Sequence, residues 1–482
     1  MNVNGVGNRK SLKTESRAKS SGRNLRGYAS SGAQNIPVKQ GSYQQETSDL
    51  LSRILSRENM LAALKRVESN KGAAGIDQMD VRSLRPFLKD RWPEVRQEIL
   101  EGNYFPRAVR RVWIPKPGSK EKRELGIPTV LDRLIQQAIH QVLSPEFEPY
   151  FSNRSFGFRV GRGAHDALKC ARGIVRSGYR HVVDLDLEKF FDLVNHDILM
   201  SKIHRKIKDV KLLRLIRRYL RSGIMLEGVK IPSEQGTPQG GPLSPLLSNI
   251  LLDDLDKELE KRGHQFIRYA DDVSIFVKSK RAGERVLASI ECFLLTRLGL
   301  KLNKKKSKVG RPWSCEFLGF SMTTNKRAKL KPSRKSLKRF KGKVKKLVRQ
   351  GKGRKLASFI TYNLNPFLRG WINYFRLSDV RKVFHELDEW IRHRLRCIVW
   401  RQWKRPMTRF KRLLRCGLSE KQAGLSAFNG RGPWWNSKGA HMNFALPFKL
   451  FAKLGLVILL ERVRNFNTLN EPPWYGTVCP VV

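Results

Sequence analysis

The cysteines of this chain are few and solitary: Cys170, Cys292, Cys315, Cys397, Cys416 and Cys479 contain no C-x-x-C pair. That argues against a zinc finger or a cysteine-clamped nuclease. With no disulfide framework either, the cysteine usage fits a reducing cytosol. Long apolar runs are missing too. None approaches the roughly 20 residues needed to span a bilayer, and no signal-peptide core opens the chain. Acidic residues are the third scarcity, 42 Asp and Glu against 96 Lys and Arg, for a formal net charge of +54. Self-repulsion at that charge calls for a polyanion to neutralise it. Nucleic acid is the natural one, because each phosphate contact also releases counterions. An anionic membrane surface is the weaker candidate, since basic residues run through the whole chain rather than one stretch.

What is present suffices for two or three cooperating domains, given 482 residues of which 40% are hydrophobic. Residues 1–45 are rich in Ser, Gly, Asn, Lys and Arg, with Glu15 the only acid before Glu46. Such a segment cannot bury enough surface to fold alone and reads as a flexible basic arm for RNA. Its Ser- and Arg-rich, acid-poor character also admits an organellar transit peptide as the alternative to a bacterial cytoplasmic protein. Order begins near Thr47, where Leu50, Leu51, Ile54, Leu55, Met60, Leu61, Leu64 and Val67 recur at helical spacing until Lys71–Gly75 breaks it. Arg110–Pro115 reads as a strand entering a turn at Pro117-Gly118, and a helix follows over Leu131–Leu143. Strand and helix signals alternate to about Leu330, so residues 46–330 form one α/β or α+β unit. From 331 to 411 basic residues interleave with Leu, Ile, Phe and Trp at helical spacing, predicting a helical bundle. Residues 412–482 form a third segment, rich in Gly, Trp and Pro, with one apolar stretch at Leu454–Leu460. There is no internal repeat.

The scarce acids concentrate in two places. His181–Leu187 alternates in a β-branched context, and its acids Asp184 and Asp186 fall on one face of a strand. A helix is expected to start among Glu188–Asp192. In Phe266–Val277 two short apolar runs flank Asp271 and Asp272, the pattern of a β-hairpin with both carboxylates at its turn. Carboxylates between apolar strands are costly unless paired or coordinated to metal. Oxygen ligands from two strands suit Mg²⁺, which keeps waters and is completed by substrate phosphates. Two such ions roughly 3.5–4 Å apart can activate a 3′-hydroxyl and stabilise a leaving pyrophosphate. An Asp pair alone would be an ordinary polar turn; the flanking strands and the distant Asp186 favour the metal site.

These residues resemble a known family. Tyr269-Ala270-Asp271-Asp272 matches the Y-A-D-D box of reverse transcriptases, and Asp186–Asp192 (D-L-E-K-F-F-D) matches their first acidic motif. Gln235–Pro245 is similar to their Q-G-x-P-Q-G-x-x-L-S-P motif. The nearest resemblance is to bacterial group II intron-encoded reverse transcriptase/maturases, over about residues 50–470. It implies an α+β right-hand polymerase of fingers and palm (46–330), a helical thumb/maturase domain (331–411) and a small basic DNA-binding C-terminal region (412–482). Asp186, Asp271 and Asp272 are then the catalytic, metal-holding residues, with two Mg²⁺ ions expected.

The resemblance also implies substrate contacts. Lys116 and Arg123, in the segment Ile114–Pro128, match residues that meet the incoming triphosphate, as a point charge and a guanidinium fork on neighbouring strands could. Phe191, five residues after Asp186, occupies the place of an aromatic against the deoxyribose, with Phe190 assigned to the core if the two rings diverge. Gln239 lies beside the nucleotide, and Gly240 lets backbone approach the template and primer. Arg159 and Arg162, in a stretch similar to S-x-G-F-R-x-G-R, are candidate template-phosphate contacts. Lys306 matches a palm lysine, and Gly319 sits in what resembles the primer-grip hairpin. His165, His181 and His196 have no ligand spacing and receive no catalytic role.

Leu364–Phe375 is similar to the maturase signature, and Leu387–Arg396 continues a helix in which apolar and basic positions alternate. Arg369 and Arg392 are the candidate RNA contacts there, whereas Trp371, Tyr374, Phe375 and Trp390 are better read as bundle core. The family's optional HNH nuclease has no counterpart in this sequence, so priming from an existing DNA 3′ end is expected. The partners implied are the intron RNA, a DNA target and primer, and deoxynucleoside triphosphates, with no membrane. Two alternatives stand beside this reading: a retron, diversity-generating or defence-associated reverse transcriptase, and a non-catalytic RNA-binding splicing factor.

Overall fold

A computed structural model of the chain describes residues 50–115, 122–226, 229–231, 235–236 and 240–468. The basic N-terminal extension, the Pro117-Gly118 turn, Lys116 and Gln239 lie outside them. Helix signals near the start are met: Arg57–Asn70 is capped by Ser56, whose side chain accepts from Asn59 N, and ends where Lys71 turns left-handed at φ 47°. The helix expected over Leu131–Leu143 spans Val130–Phe147 and buries Leu134, Ile135, Ala138, Ile139 and Leu143.

β1 (Val109–Pro115) and β2 (Lys122–Ile127) form an antiparallel pair in which Arg110 faces Ile127 and Pro115 faces Lys122. β3 (His181–Leu185) opens the palm sheet. β4 (Ile224–Leu226) runs parallel to β1 and pairs with β5 (Val229–Ile231), giving a fingers sheet of order β2-β1-β4-β5. β6 (Gln265–Tyr269), β7 (Asp272–Val277) and β8 (Lys308–Gly310) complete the palm sheet, order β6-β7-β3-β8. β9 (Phe320–Met322) and β10 (Leu330–Pro332) make a separate antiparallel pair leading into the helical third.

The palm sheet divides two apolar cores, as the period-2 alternation of its strands requires. Val183, Leu185, Phe266, Val273, Ile275 and Val277 join the core shared with the fingers and the helix Ser244–Lys261. Val182, Ile267 and Phe276 face the other way, into a core continuous with Phe320, Phe340, Leu368, Trp400 and Val463. This coverage of both faces explains why the strands read as nearly unbroken apolar runs. In the helix Arg334–Gln350 the buried positions Ser336, Phe340, Val344 and Val348 fall four apart, and the remaining faces are mostly Lys and Arg. Trp371 packs on Phe340 at 4.4 Å and Phe375 at 4.5 Å between ring centroids; Phe375 is core, while Trp371, Tyr374 and Trp390 lie half-buried against it.

Two expectations need correction. The helix anticipated after Asp186 is a single 3-10 turn, Phe190–Asp192, entered through Lys189 at φ 43°. The boundary at 411/412 cuts the helix Pro406–Arg415, and the following segment shares the thumb's core through Leu413, Ala423, Phe451 and Leu459. The C-terminal helix Leu459–Thr468 is anchored by Asp388, whose two carboxylate oxygens accept from Leu459 N and Leu460 N at 2.9 and 3.0 Å. Those amides would otherwise be orphaned at a helix start. Asp388→Ala is expected to destabilise this attachment by about 1–2 kcal/mol. Hydrogen exchange over 459–468 would then accelerate selectively, and unchanged protection there would count against the anchor.

Candidate active site

The β6–β7 hairpin places its turn by register. Tyr269 pairs with Asp272, leaving Ala270 and Asp271 at the tip, with Ala270 at φ 58° as a tight two-residue hairpin demands. On the other side of β7, Leu185 of β3 faces Val273 and Asp184 faces Ser274. Continuing that register sets Asp186 beside Asp272, so residues 86 positions apart in sequence meet at one sheet end. The chain after Leu300 wraps Asp186: its N–H donates to Ser307 Oγ at 3.0 Å and its carbonyl accepts from Asn303 N at 2.9 Å. Lys306 Nζ lies 3.3 Å from Asp186 Oδ2.

The electrostatics follow from this crowding. Burial pushes the Asp184 carboxyl up to about 6, reinforced by Asp186 and Glu316 and opposed by Lys308 and Lys335. Asp272 keeps accessible surface in the cleft, yet crowding by protein and then the charges of Asp271, Asp184 and Asp186 push it up to about 7. Among the described residues no three His, Cys, Asp or Glu side chains already enclose an ion. The donor set nevertheless suits a hard cation that takes one or two carboxylates and completes its shell with water and phosphate. Asp186, Asp271 and Asp272 are the residues that could hold it.

Around this centre the candidate residues divide. Phe190 is buried and Phe191 half-buried against the same core, their rings in edge-to-face contact at 75° with centroids 5.1 Å apart. Arg123 is placed on β2 by its pairing with Ile114. Gly240 has φ 124°, and a side chain there would strike Gly126 O at 2.6 Å, so packing against the fingers hairpin already demands glycine. Gly236 is similarly pressed on the first acidic motif, with Phe191 O 2.8 Å from a would-be Cβ. Buried His196 supports it, its Nε2 2.6 Å from Gly236 O.

Arg159 is a correction. Its guanidinium is buried over Phe151, and all five N–H groups are engaged, by Glu148 Oε1, Glu148 O, Ser152 O and Ser155 O. It ties its own loop together instead of reaching a template phosphate. Arg162 stays on the surface, donating to Asn153 O at 2.9 Å and Asn153 Oδ1 at 2.7 Å. Gly319, at φ 76°, is bound to the thumb: its carbonyl accepts from Ser333 N and Ser336 Oγ, both at 2.9 Å. Tyr374 Oη donates to Leu318 O next to it at 2.9 Å. Arg369 lines an open groove with Arg462 and Asn465, and Arg392 lies over the Phe448 ring. Both are remote in sequence from the acidic turn and belong to the helical third.

Sequence reasoning placed Asp184 on one strand face with Asp186 but gave it no role, and it passed over Ser307, Gly157 and Arg268. A side chain on Gly157 would stand 2.2 Å from Ala270 N, so the template-side loop abuts the acidic turn itself. Arg268 is wholly buried, and the available signal was one charged residue inside an apolar strand run. The Asp272 environment makes a pH prediction. A carboxyl near 7 when folded and about 3.9 when unfolded destabilises the metal-free fold increasingly as pH rises between those values. In chelator, Asp272→Asn is therefore expected to melt above wild type at pH 8, the gap shrinking as pH falls toward 4. A pH-independent gap would refute the assignment.

The comparisons with known proteins agree with this geometry. The reverse transcriptase (RNA-dependent DNA polymerase) family matches residues 114–322, and the group II intron maturase-specific domain matches residues 337–417. Group II intron-encoded protein LtrA of Lactococcus lactis subsp. cremoris is 30% identical over 365 residues, covering 62% of this chain and 61% of LtrA. Protein YkfC of Escherichia coli K12 is 32% identical over 303 residues, 54% of this chain and 78% of YkfC. A chain of a partial Cas6-RT-Cas1–Cas2 complex is 27% identical, covers 51% of this chain and 42% of its own length, and superposes with a TM-score of only 0.34. The match thus spans about three fifths of LtrA's length. With a right-hand palm carrying the acidic hairpin and a maturase-specific domain directly after it, the chain belongs to the group II intron-encoded reverse transcriptase/maturase family.

Proposed function

We propose that this chain is the RNA-directed DNA polymerase of a group II intron, which also binds its intron RNA to promote splicing. The observation that carries the polymerase half is the strand register that sets Asp186 beside Asp272 with Asp271 at the hairpin tip. Enzymes of this family use divalent metal ions; here we take them to be two Mg²⁺, held by Asp186, Asp271 and Asp272. Bound there, they supply the charge that activates the primer 3′-hydroxyl and stabilises the leaving pyrophosphate.

The protein's own groups do the rest. Lys306, 3.3 Å from Asp186, offsets carboxylate repulsion in the cleft. Phe191, backed by Phe190, presents a ring edge that would collide with a 2′-hydroxyl and so favours deoxynucleotides. Lys116, Arg123 and Gln239 are assigned to the triphosphate by resemblance. Arg162 is assigned to the template, and Gly240, Lys306 and Gly319 to template and primer. For the splicing half, Arg369 and Arg392 offer guanidinium groups on the maturase helices, where structured RNA is recognised by shape and phosphate. The partners are then intron RNA, a DNA target and primer, and deoxynucleoside triphosphates, in the bacterial cytoplasm. No helix among the described residues is long and apolar enough to cross a membrane. The intact acids leave the purely non-catalytic splicing-factor reading without support.

Primer extension on an RNA template tests the first half. Asp271→Ala is expected to lower the rate by roughly 100-fold or more while leaving RNA binding intact; retained extension would sink the catalytic assignment. Charge reversal at Arg369 and Arg392 is expected to impair intron splicing more than extension of a simple primer. Equal loss of both activities would undercut the separation of the two roles.

A further inference from the structure

Arg268 is 0% exposed, and so is its ion-pair partner Asp256 on the helix Ser244–Lys261. Its Nε donates to Asp256 Oδ1 at 2.8 Å and its Nη2 to Asp256 Oδ2 at 2.6 Å. The remaining nitrogen, Nη1, points at the catalytic hairpin: it donates to Asn249 Oδ1 at 2.8 Å and to Ala270 O at 3.1 Å. Asn249, itself buried, donates onward from Nδ2 to Gly157 O at 3.0 Å. The same strand residue is also held through its backbone, Arg268 N donating to Arg154 O and Phe156 N to Arg268 O, at 3.0 and 2.9 Å.

Stability alone is a poor reason for this arrangement. Removing two ions from water costs several kcal/mol each, and a well-packed apolar pair often serves as well. What the guanidinium supplies is direction, because its planar fork fixes several acceptors at once. One of them is the carbonyl of Ala270, whose φ of 58° is uncommon for a residue with a side chain. Fixing that carbonyl fixes the Ala270–Asp271 peptide plane, and with it the direction in which Asp271 leaves the turn. Gly157, fastened by Asn249, also closes on Ala270 N so tightly that no Cβ would fit. The turn is therefore met at two backbone points, Ala270 O and Ala270 N, by one buried network.

We propose that Arg268 and Asn249 are positioning residues of the polymerase reaction, holding the Ala270–Asp271 peptide so that Asp271 and Asp272 meet their ions in register with Asp186. This rests on the polymerase reading above. It predicts that loosening the network lowers turnover and weakens the response to Mg²⁺ without touching template–primer affinity.

The experiment uses the full chain with an annealed RNA template and DNA primer, and three variants. Asn249→Ala removes both links of the amide. Asn249→Asp keeps its size and the bond from Arg268 but cannot donate to Gly157 O. Arg268→Lys keeps a charge for Asp256 but loses the fork that reaches Ala270 O. Each variant is compared with wild type for melting temperature, template–primer Kd, kcat, KM for nucleotide and the Mg²⁺ concentration giving half-maximal rate. The expected result is a kcat lowered about 10- to 100-fold and a several-fold higher Mg²⁺ requirement. Kd and KM should stay within about two-fold, including in whichever variants melt like wild type. Wild-type kcat and Mg²⁺ response in a folded variant overturn the positioning role, as does loss of kcat and Kd in common proportion to lost fold. If wild type itself extends no primer, the polymerase reading fails and takes this one with it, an outcome separate from the variant results.

Discussion

Carboxylates that must share one cleft repel each other, and the palm is arranged to hold them there regardless. Asp184, Asp186, Asp271 and Asp272 lie close enough for their mutual fields, added to burial, to push Asp272 up to about 7 and Asp184 to about 6. Left to local energetics the hairpin tip would splay. It does not because β7 is clamped between β6 and β3 and buried on both faces. Lysines 306, 308 and 335 surround the acids without neutralising them fully, which suits a centre whose remaining charge is met by cations and substrate. Active centres commonly keep such unfavourable electrostatics, balanced by packing elsewhere.

Much of this was legible in the residues. Alternation in His181–Leu187 and the apolar runs around Tyr269–Asp272 announced adjacent strands, because a period of two survives any tertiary context. What escaped notice depends on partners that sequence spacing does not reveal. Arg159 looks like a phosphate ligand until its loop folds back and offers four acceptor groups to one guanidinium. Arg268 finds Asp256 on a preceding helix, across a helix-to-strand junction with no periodic signature. Gly240 reads as a point of backbone approach, but the first thing it meets is the fingers hairpin. The boundary near 412 failed for a related reason: composition shifts there, while the core continues underneath.

The junction between palm and thumb is held by hydrogen bonds and ring packing. Gly319, Leu318 and His165 on the palm side exchange hydrogen bonds with Ser333, Ser336 and Tyr374 on the thumb side. Phe320 packs on Phe375 in a tilted pair with centroids 4.8 Å apart. The turn expected to approach the primer is thus set by the first thumb helices as much as by its own strands. Catalysis and RNA binding are assigned to different surfaces, yet those surfaces are fastened to each other across this junction.

The continuous core beneath the palm sheet, from Phe156 to Val463, has a consequence for heredity and engineering alike. Recombination between relatives succeeds where a crossover leaves each parent's packing intact. Here a crossover anywhere in that interval would join halves whose apolar faces were fitted to different partners. Chimeras that exchange the maturase helices should therefore carry the underside of β3, β6 and β7 with them, which makes the hand a single inheritable part instead of interchangeable modules.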